Sequence, residues 1–183
     1  MRRLLHAILL GLLGAGIVHI AVLLLVPDFS RHDAWSRLAE ASGLYRMTPL
    51  EAETGGAPVV KSVDPLFAAV ACRFDLDDGM VQVKGPAAFL PFWSASVYDR
   101  SGHNIYSLND HGASKGQLDL VILTPAQMNE VRKDLPEAYQ GSVFIEAPIG
   151  EGIVVIRAFI PDGSWRPAVM RFLDAGSCEL RQS

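Results

Sequence analysis

No run of basic residues longer than two occurs anywhere in this sequence. A nucleic-acid binder needs a stripe of Lys and Arg to neutralise phosphates. After Val26 the chain carries instead 14 basic against 20 acidic residues, a net charge of 14 − 20 = −6. Nucleic acid is therefore excluded as a partner. Also missing are a Gly-x-Ser-x-Gly elbow, a His-Glu-x-x-His pair, a Walker loop and a dinucleotide fingerprint. Nothing in the sequence calls for a cofactor.

Cysteine is scarce, with only Cys72 and Cys178 present. Two cysteines so far apart, without a nearby His, match no standard metal site, and no metal is expected. Outside a reducing compartment they tend to pair, which would constrain the unfolded chain by about 4–5 kcal/mol on a chain-entropy argument. The alternative is a pair of buried thiols. No Cys stands near the start to accept a lipid.

Charge is missing altogether from Leu4 to Val26, 23 residues without Asp, Glu, Lys or Arg. As a helix this run measures about 34 Å, enough to cross a hydrocarbon core of about 30 Å. Pro27 and Asp28 are expected to end it. Arg2, Arg3 and the terminal amine favour a cytoplasmic N-terminus, although Arg31 and Arg37 lie close on the other side. A cleaved signal peptide shares this pattern. Against it, the apolar run is long, and Leu24-Leu25-Val26-Pro27-Asp28 offers no small-x-small cleavage site. The expectation is a retained single span, residues 1–27, with the remainder outside the cytoplasm. Within the span, Gly11 and Ala15 form a small-xxx-small pair that can bring two helices close, or are ordinary small-residue content. His19 near mid-span marks a functional site or a tolerated neutral imidazole.

Residues 28–60 read as a membrane-proximal helix and linker. Ser30 is a candidate cap for a helix over 31–42, with Gly43 as its stop and Trp35, Leu38 and Ala39 as its apolar stripe. The stretch 48–58, with two prolines and Gly55-Gly56, reads as a loop. Residues 61–183 then read as a β-rich domain. Asp64-Pro65 opens a short helical turn. A hairpin is expected from Val70–Leu76 into Met80–Lys84 through Asp77-Asp78-Gly79. A second joins Phe92–Tyr98 to His103–Leu108 through Asp99-Arg100-Ser101-Gly102. Leu118–Leu123 is a further strand. Thr124, Pro125 and Gln127 form a clear helix start with a capping box, and that helix should end before Pro136. Ser142–Ala147 and Ile153–Ile160 are strands. Ser164 is a candidate cap for a last helix to about Leu173, stopped by Gly176, with Trp165 packing on the sheet edge. The fold class is α+β, mostly an antiparallel sheet or sandwich with a few short helices.

The densest polar and aromatic stretch runs from Phe92 to Gly112. Strand alternation puts Phe92, Ser94, Ser96 and Tyr98 on one face and Trp93, Ala95 and Val97 on the other. Polar groups where strands end are common building material for sites. The candidate binding residues are Trp93, Tyr98, Asn104, Asn109, Asp110 and His111. His111 beside Asp110 is an acid–base pair on paper, with Ser94, Ser96 or Ser107 as possible nucleophiles. His103 and His111 with Asp110 match no standard metal spacing. The plainer reading makes Asn109 and Asp110 turn-forming side chains.

The segment from Phe92 to Asp99, with Gly102, Asn104 and Ile105-Tyr106-Ser107-Leu108-Asn109-Asp110, resembles the bacterial family called "domain of unknown function 1254". The whole chain is similar to that family's short membrane-protein form. Further matching stretches are Asp64-Pro65, Cys72-Arg73-Phe74-Asp75-Leu76, Asp78-Gly79, Pro161-Asp162, Ser164-Trp165-Arg166-Pro167 and Cys178. The resemblance implies a Gram-negative inner-membrane protein with a β-rich periplasmic domain, and no catalytic residue comes with it. The expected function is a non-catalytic envelope module that binds a partner protein or envelope glycan through the hairpin surface. The alternative is a tethered hydrolase or metal-dependent enzyme using the Asn109-Asp110-His111 loop.

Overall fold

The computed structural model describes residues 2–31, 33–51, 59, 64–87 and 90–182. The chain divides into two compact units, Met1–Asp33 and Ala34–Ser183. The first is built on α1 (Arg2–Arg31). Its stretch Arg2–Leu25 is long and apolar enough to cross a membrane, and none of it is buried within the protein. The helix does not stop at Pro27 as expected. An interior proline removes one N–H and clashes with one carbonyl, but the bonds on either side can continue. Ser30 accordingly lies inside α1 rather than capping the next helix.

The second unit contains most of α2 (Asp33–Ala41), β1 (Thr48–Pro49), β2 (Phe67–Asp75), β3 (Met80–Lys84), β4 (Trp93–Asp99) and β5 (Asn104–Asn109). It continues with β6 (Asp119–Leu123), α3 (Pro125–Val131), β7 (Val143–Glu146), β8 (Glu151–Phe159), α4 (Arg166–Asp174) and β9 (Ser177–Arg181). The second compact unit begins at Ala34. Of the expected loop 48–58, Thr48 and Pro49 pair with Ala71 and Val70, and residues 52–58 lie outside the described ones.

Two sheets form, a five-stranded one in the order β1-β2-β8-β4-β5 and a four-stranded one in the order β7-β6-β3-β9. Among the described residues every pairing is antiparallel except β6 with β7. The fold is α+β with the sheets stacked as a sandwich. Alternate residues fill the space between them: Val70, Cys72 and Phe74 from β2, Val154 and Ile156 from β8, against Val81, Val83, Leu120 and Ile122. Phe172 and Leu173 of α4 join the same core. Cys72 on β2 and Cys178 on β9 are disulfide-bonded, Cα–Cα 6.5 Å, tying one sheet to the other.

The expected hairpin of β2 with β3 does not form. The chain does turn at Asp77-Asp78-Gly79, but β2 pairs with β1 and β8 while β3 enters the other sheet between β6 and β9. The reason is visible in β3, where Met80, Val81, Gln82 and Val83 are all buried. A strand covered on both faces needs two strand neighbours and a full sheet, which a two-stranded hairpin cannot supply. Gln82 is satisfied at both ends, donating to Asp119 Oδ1 (3.0 Å) and accepting from Arg181 Nε (3.2 Å). The hairpin of β4 with β5 forms as expected, with a register irregularity at Val97/Tyr98.

Each outer face carries a helix. On the four-stranded sheet, α3 packs Met128 and Val131 on Met80, Val121, Leu123 and Tyr139. Its capping box is complete, with Thr124 Oγ1 accepting from Gln127 N–H and Gln127 Oε1 accepting from Thr124 N–H. It ends at Val131, earlier than the Pro136 limit. On the five-stranded sheet, α2 sets Trp35 and Leu38 against Ala71 and Ile153. The last helix is not capped by Ser164, whose hydroxyl donates instead to Asp162 Oδ1 at 2.6 Å. Gly176 does close it, donating its N–H to Leu173 O.

Candidate functional site: a cleft on the five-stranded sheet

Outward residues of a sheet follow from parity. With Cys72, Val154 and Val97 facing the core, the outer face takes Ala71, Ile153, Val155, Arg157, Ser94, Ser96 and Tyr98. The helix α2 covers only part of that face. The remainder is a cleft of about 650 Å³, within the usual range for small-molecule sites of roughly 300–1,000 Å³. Val155, Ile153 and Ala71 line it from the sheet, and Leu38, Leu50 and Val59 from beside α2 and β1. Phe67 and Phe92, whose rings meet edge to face with centroids 6.4 Å apart, line it with Asp64 and Arg157.

The two sides of this face differ in chemistry. On β4 and β5 it is a polar ladder in which Ser107 Oγ donates to Ser96 Oγ and Asn104 Nδ2 donates to Ser107 Oγ, both at 2.9 Å. Next to the ladder, Tyr98 lines the cleft, and its hydroxyl bonds no other described residue. On the α2 side Trp35 is held by cations. The Arg73 guanidinium lies 4.9 Å and that of Arg100 5.5 Å from its ring centroid. Arg73 donates to Ser42 O (2.9 Å) and leaves its buried Nε unpaired. Burial lowers its pKa from the ordinary value, and Glu151 partly opposes this. Glu151 also pairs with Arg100.

The nominated residues separate on inspection. Tyr98 belongs to the cleft and Asn104 to the adjoining ladder. Trp93 does not join them. It is 3 % exposed in the core, stacked near Phe172, with its indole N–H donating to Gly116 O. Strand parity points it inward, opposite to Tyr98's neighbours Ser94 and Ser96. Asn109 forms the turn that ends β5, its Oδ1 and O accepting from Gly112 N–H. Asp110 and His111 do meet, Oδ1 to Nδ1 at 3.1 Å, but the imidazole is 82 % exposed and outside the cleft lining. No serine hydroxyl bonds either of them among the described residues, and no three His, Cys, Asp or Glu side chains there are grouped to share a metal ion. The other histidine, His103, serves its turn. Its N–H and ring bond both Asp99 carboxylate oxygens at 2.9 Å. Burial pushes the Asp99 pKa up, but the hydrogen bonds and charge of His103 prevail and hold it below the ordinary carboxylate value. Leu38, Leu50, Val59 and Arg157 were not nominated. They come from distant parts of the chain, and no motif marks them.

No protein-family model matches the chain, and neither does any curated protein. Among solved structures it is similar to the VPA0106 protein from Vibrio parahaemolyticus, with a TM-score of 0.60 at 9% identity over 83% of this chain and 35% of that one. An uncharacterized protein from Burkholderia cenocepacia aligns at a TM-score of 0.46 and 14% identity, over 72% of this chain and 37% of that one. The chain spans about a third of the length of each. The Vibrio likeness shows a shared fold.

Proposed function

We propose that this chain is a membrane-anchored, non-catalytic binding module of the bacterial cell envelope, with α1 as a retained inner-membrane anchor, its N-terminus cytoplasmic and the sandwich in the periplasm. The cleft of the five-stranded sheet is the binding site. The single observation that carries this reading is a large apolar recess on the outer face of the five-stranded sheet, beside the stretch that α2 covers. A recess of this kind loses apolar contact with water only when a ligand fills it. The disulfide and the long apolar run of the N-terminal helix support the location. The resemblance to the DUF1254 family agrees with it, resting on the motif residues alone. A partner protein or glycan on the β4–β5 surface is the weaker form, because Ser96, Asn104 and Ser107 there already bond one another.

Native mass spectrometry of the full-length protein released from its own membranes tests the site. The expected result is a retained small ligand, lost when Val155→Phe fills the cleft floor. No bound mass in either protein would overturn the reading. Intact mass with thiol alkylation before and after reduction tests the location, and loss of the first 26 or so residues would remove the anchor. A second reading, a tethered hydrolase, draws on the contact of His111 with Asp110. An unchanged envelope phenotype in His111→Ala, with no metal by elemental analysis of the full chain, would count against it.

A further inference from the structure

We infer that the cleft takes a single-chain amphiphile with one carboxylate head, a long-chain fatty-acid anion, its head on Arg157 and Ser94 and its tail along the apolar floor toward α2. This deepens the reading of the cleft as a binding site and rests on it. Arg157 is the carrier. It projects from β8 into the cleft, more than a third exposed, and makes no ion pair or hydrogen bond with any described residue. Ser94 stands directly opposite it in register on β4, also lining the cleft, and its hydroxyl is likewise without a partner among the described residues. Paired strands lie about 4.8 Å apart, so a guanidinium and a hydroxyl on one rung can reach the two oxygens of one carboxylate. Asn109 continues the same rung on β5, its Oδ1 already taken by Gly112 N–H and its amide donors unbonded.

The charge of the head follows from what else is present. Asp64 also lines the cleft, with Oδ1 accepting from Leu66 N–H. Among the described lining residues Arg157 is the one cation and Asp64 the one acid, so Arg157 can balance one carboxylate, whereas a doubly charged phosphate monoester would add a second charge facing Asp64. The tail follows from the floor. From the Arg157 rung the outward residues of β8 are Val155 and Ile153, flanked by Ala71 and leading to Leu38 and Leu50, with no charged side chain among them. From the Ser94 rung to Tyr98, both in the lining, β4 advances about 13 Å at about 3.3 Å per residue. That holds about the first ten carbons of a zigzag chain at bond lengths of about 1.5 Å, and the rest of a longer tail meets Leu38 and Leu50. A glycan is a poorer fit, because such a floor offers its hydroxyls no partners.

The test is photolabelling of the full chain in lipid nanodiscs with hexadecanoic acid bearing a mid-chain diazirine, the adducts mapped by mass spectrometry. Adducts on α1 report probe in the lipid phase and serve as the reference. The expected result is adducts on the peptides holding Ile153, Val155 and Leu38, competed away by unlabelled hexadecanoate. They should fall at least tenfold in Arg157→Gln, several-fold in Ser94→Ala, and at least tenfold with the methyl ester of the same probe. Arg157→Lys should restore part of the signal. Cleft adducts equally strong with the ester and in Arg157→Gln would overturn the head-group assignment while leaving the cleft a binding site. Adducts confined to α1 would overturn the inference. The binding-module reading would then stand if native mass spectrometry still found a ligand lost in Val155→Phe, and fall if it did not.

Discussion

The two outer faces of the sandwich are built from similar parts and end differently. On the four-stranded sheet, α3 follows β6 with only Thr124 between them, so its first turn is capped where the strand ends. Gln127 also reaches across to donate to Leu76 O at 3.0 Å. That helix lies flat, and Val121, Leu123, Met128 and Val131 close over one another. On the five-stranded sheet, α2 comes from ahead of the first strand and is attached chiefly by Trp35, between two guanidiniums, and Leu38. It covers one end of the face and leaves the other as a cleft. The lesson is one of tethering. A helix bonded to the strand it follows completes the fold, whereas a helix held by a pair of apolar side chains leaves room for something else.

The largest expected effect ignores this contrast. Cys72→Ala with Cys178→Ala should cost about 4–5 kcal/mol in denaturant unfolding, since the bond closes a loop with a sequence separation of 106. A midpoint unchanged by reduction would show that the packed core alone joins the sheets. Next comes the contrast itself. Leu123→Ala, on the closed face and fully buried, should cost about 3 kcal/mol. Val155→Ala, only partly buried on the cleft floor, should cost only about 1 kcal/mol. Equal losses would mean that the two faces are equally packed in solution.

Smaller effects sharpen the picture. Thr124→Ala should lose about 1 kcal/mol with the cap that fixes α3, detectable as earlier hydrogen exchange in that helix. Arg157→Gln should change stability by no more than about 0.5 kcal/mol, because the exposed side chain makes no ion pair or hydrogen bond among the described residues. The smallest effect is in pH. The Asp99 pKa is held below its unfolded value, so its contribution is present above about pH 4 and fades as the pH falls through the folded-state pKa. Asp99→Asn should flatten that part of the stability–pH curve, and a curve identical to wild type would remove the residue from the account.

What the sequence made legible is what neighbouring residues decide among themselves. The capping box of α3, the β4–β5 hairpin with its alternation, and the pairing of the two cysteines were all readable from local pattern and count. Asp77-Asp78-Gly79 shows the limit. A turn motif specifies reversal of the chain, not whether the flanking strands then pair. The burial of Met80 through Val83 decides that, and the apolar residues on both faces of the strand, Met80, Val81 and Val83, were the available signal. Strand β9 was missed because Glu179 and Arg181 disguise a strand whose partner is distant β3. Trp93 was nominated for its chemistry although its own parity placed it inward. Half of the cleft was invisible for the same reason as β9. Leu38, Leu50 and Arg157 meet only after both sheets exist.

The crossing of the chain from one sheet to the other also governs when the protein can finish folding. Met80–Lys84 cannot complete its pairing until Ser177–Arg181 has been synthesised, and Phe67–Asp75 must wait for Glu151–Phe159. Almost every strand contact is therefore long-range in sequence, which slows folding and leaves early strands with open edges. Until the late strands arrive, the partners waiting for them keep unpaired edges, so Glu151–Phe159 and Ser177–Arg181 are the segments whose arrival completes the two sheets.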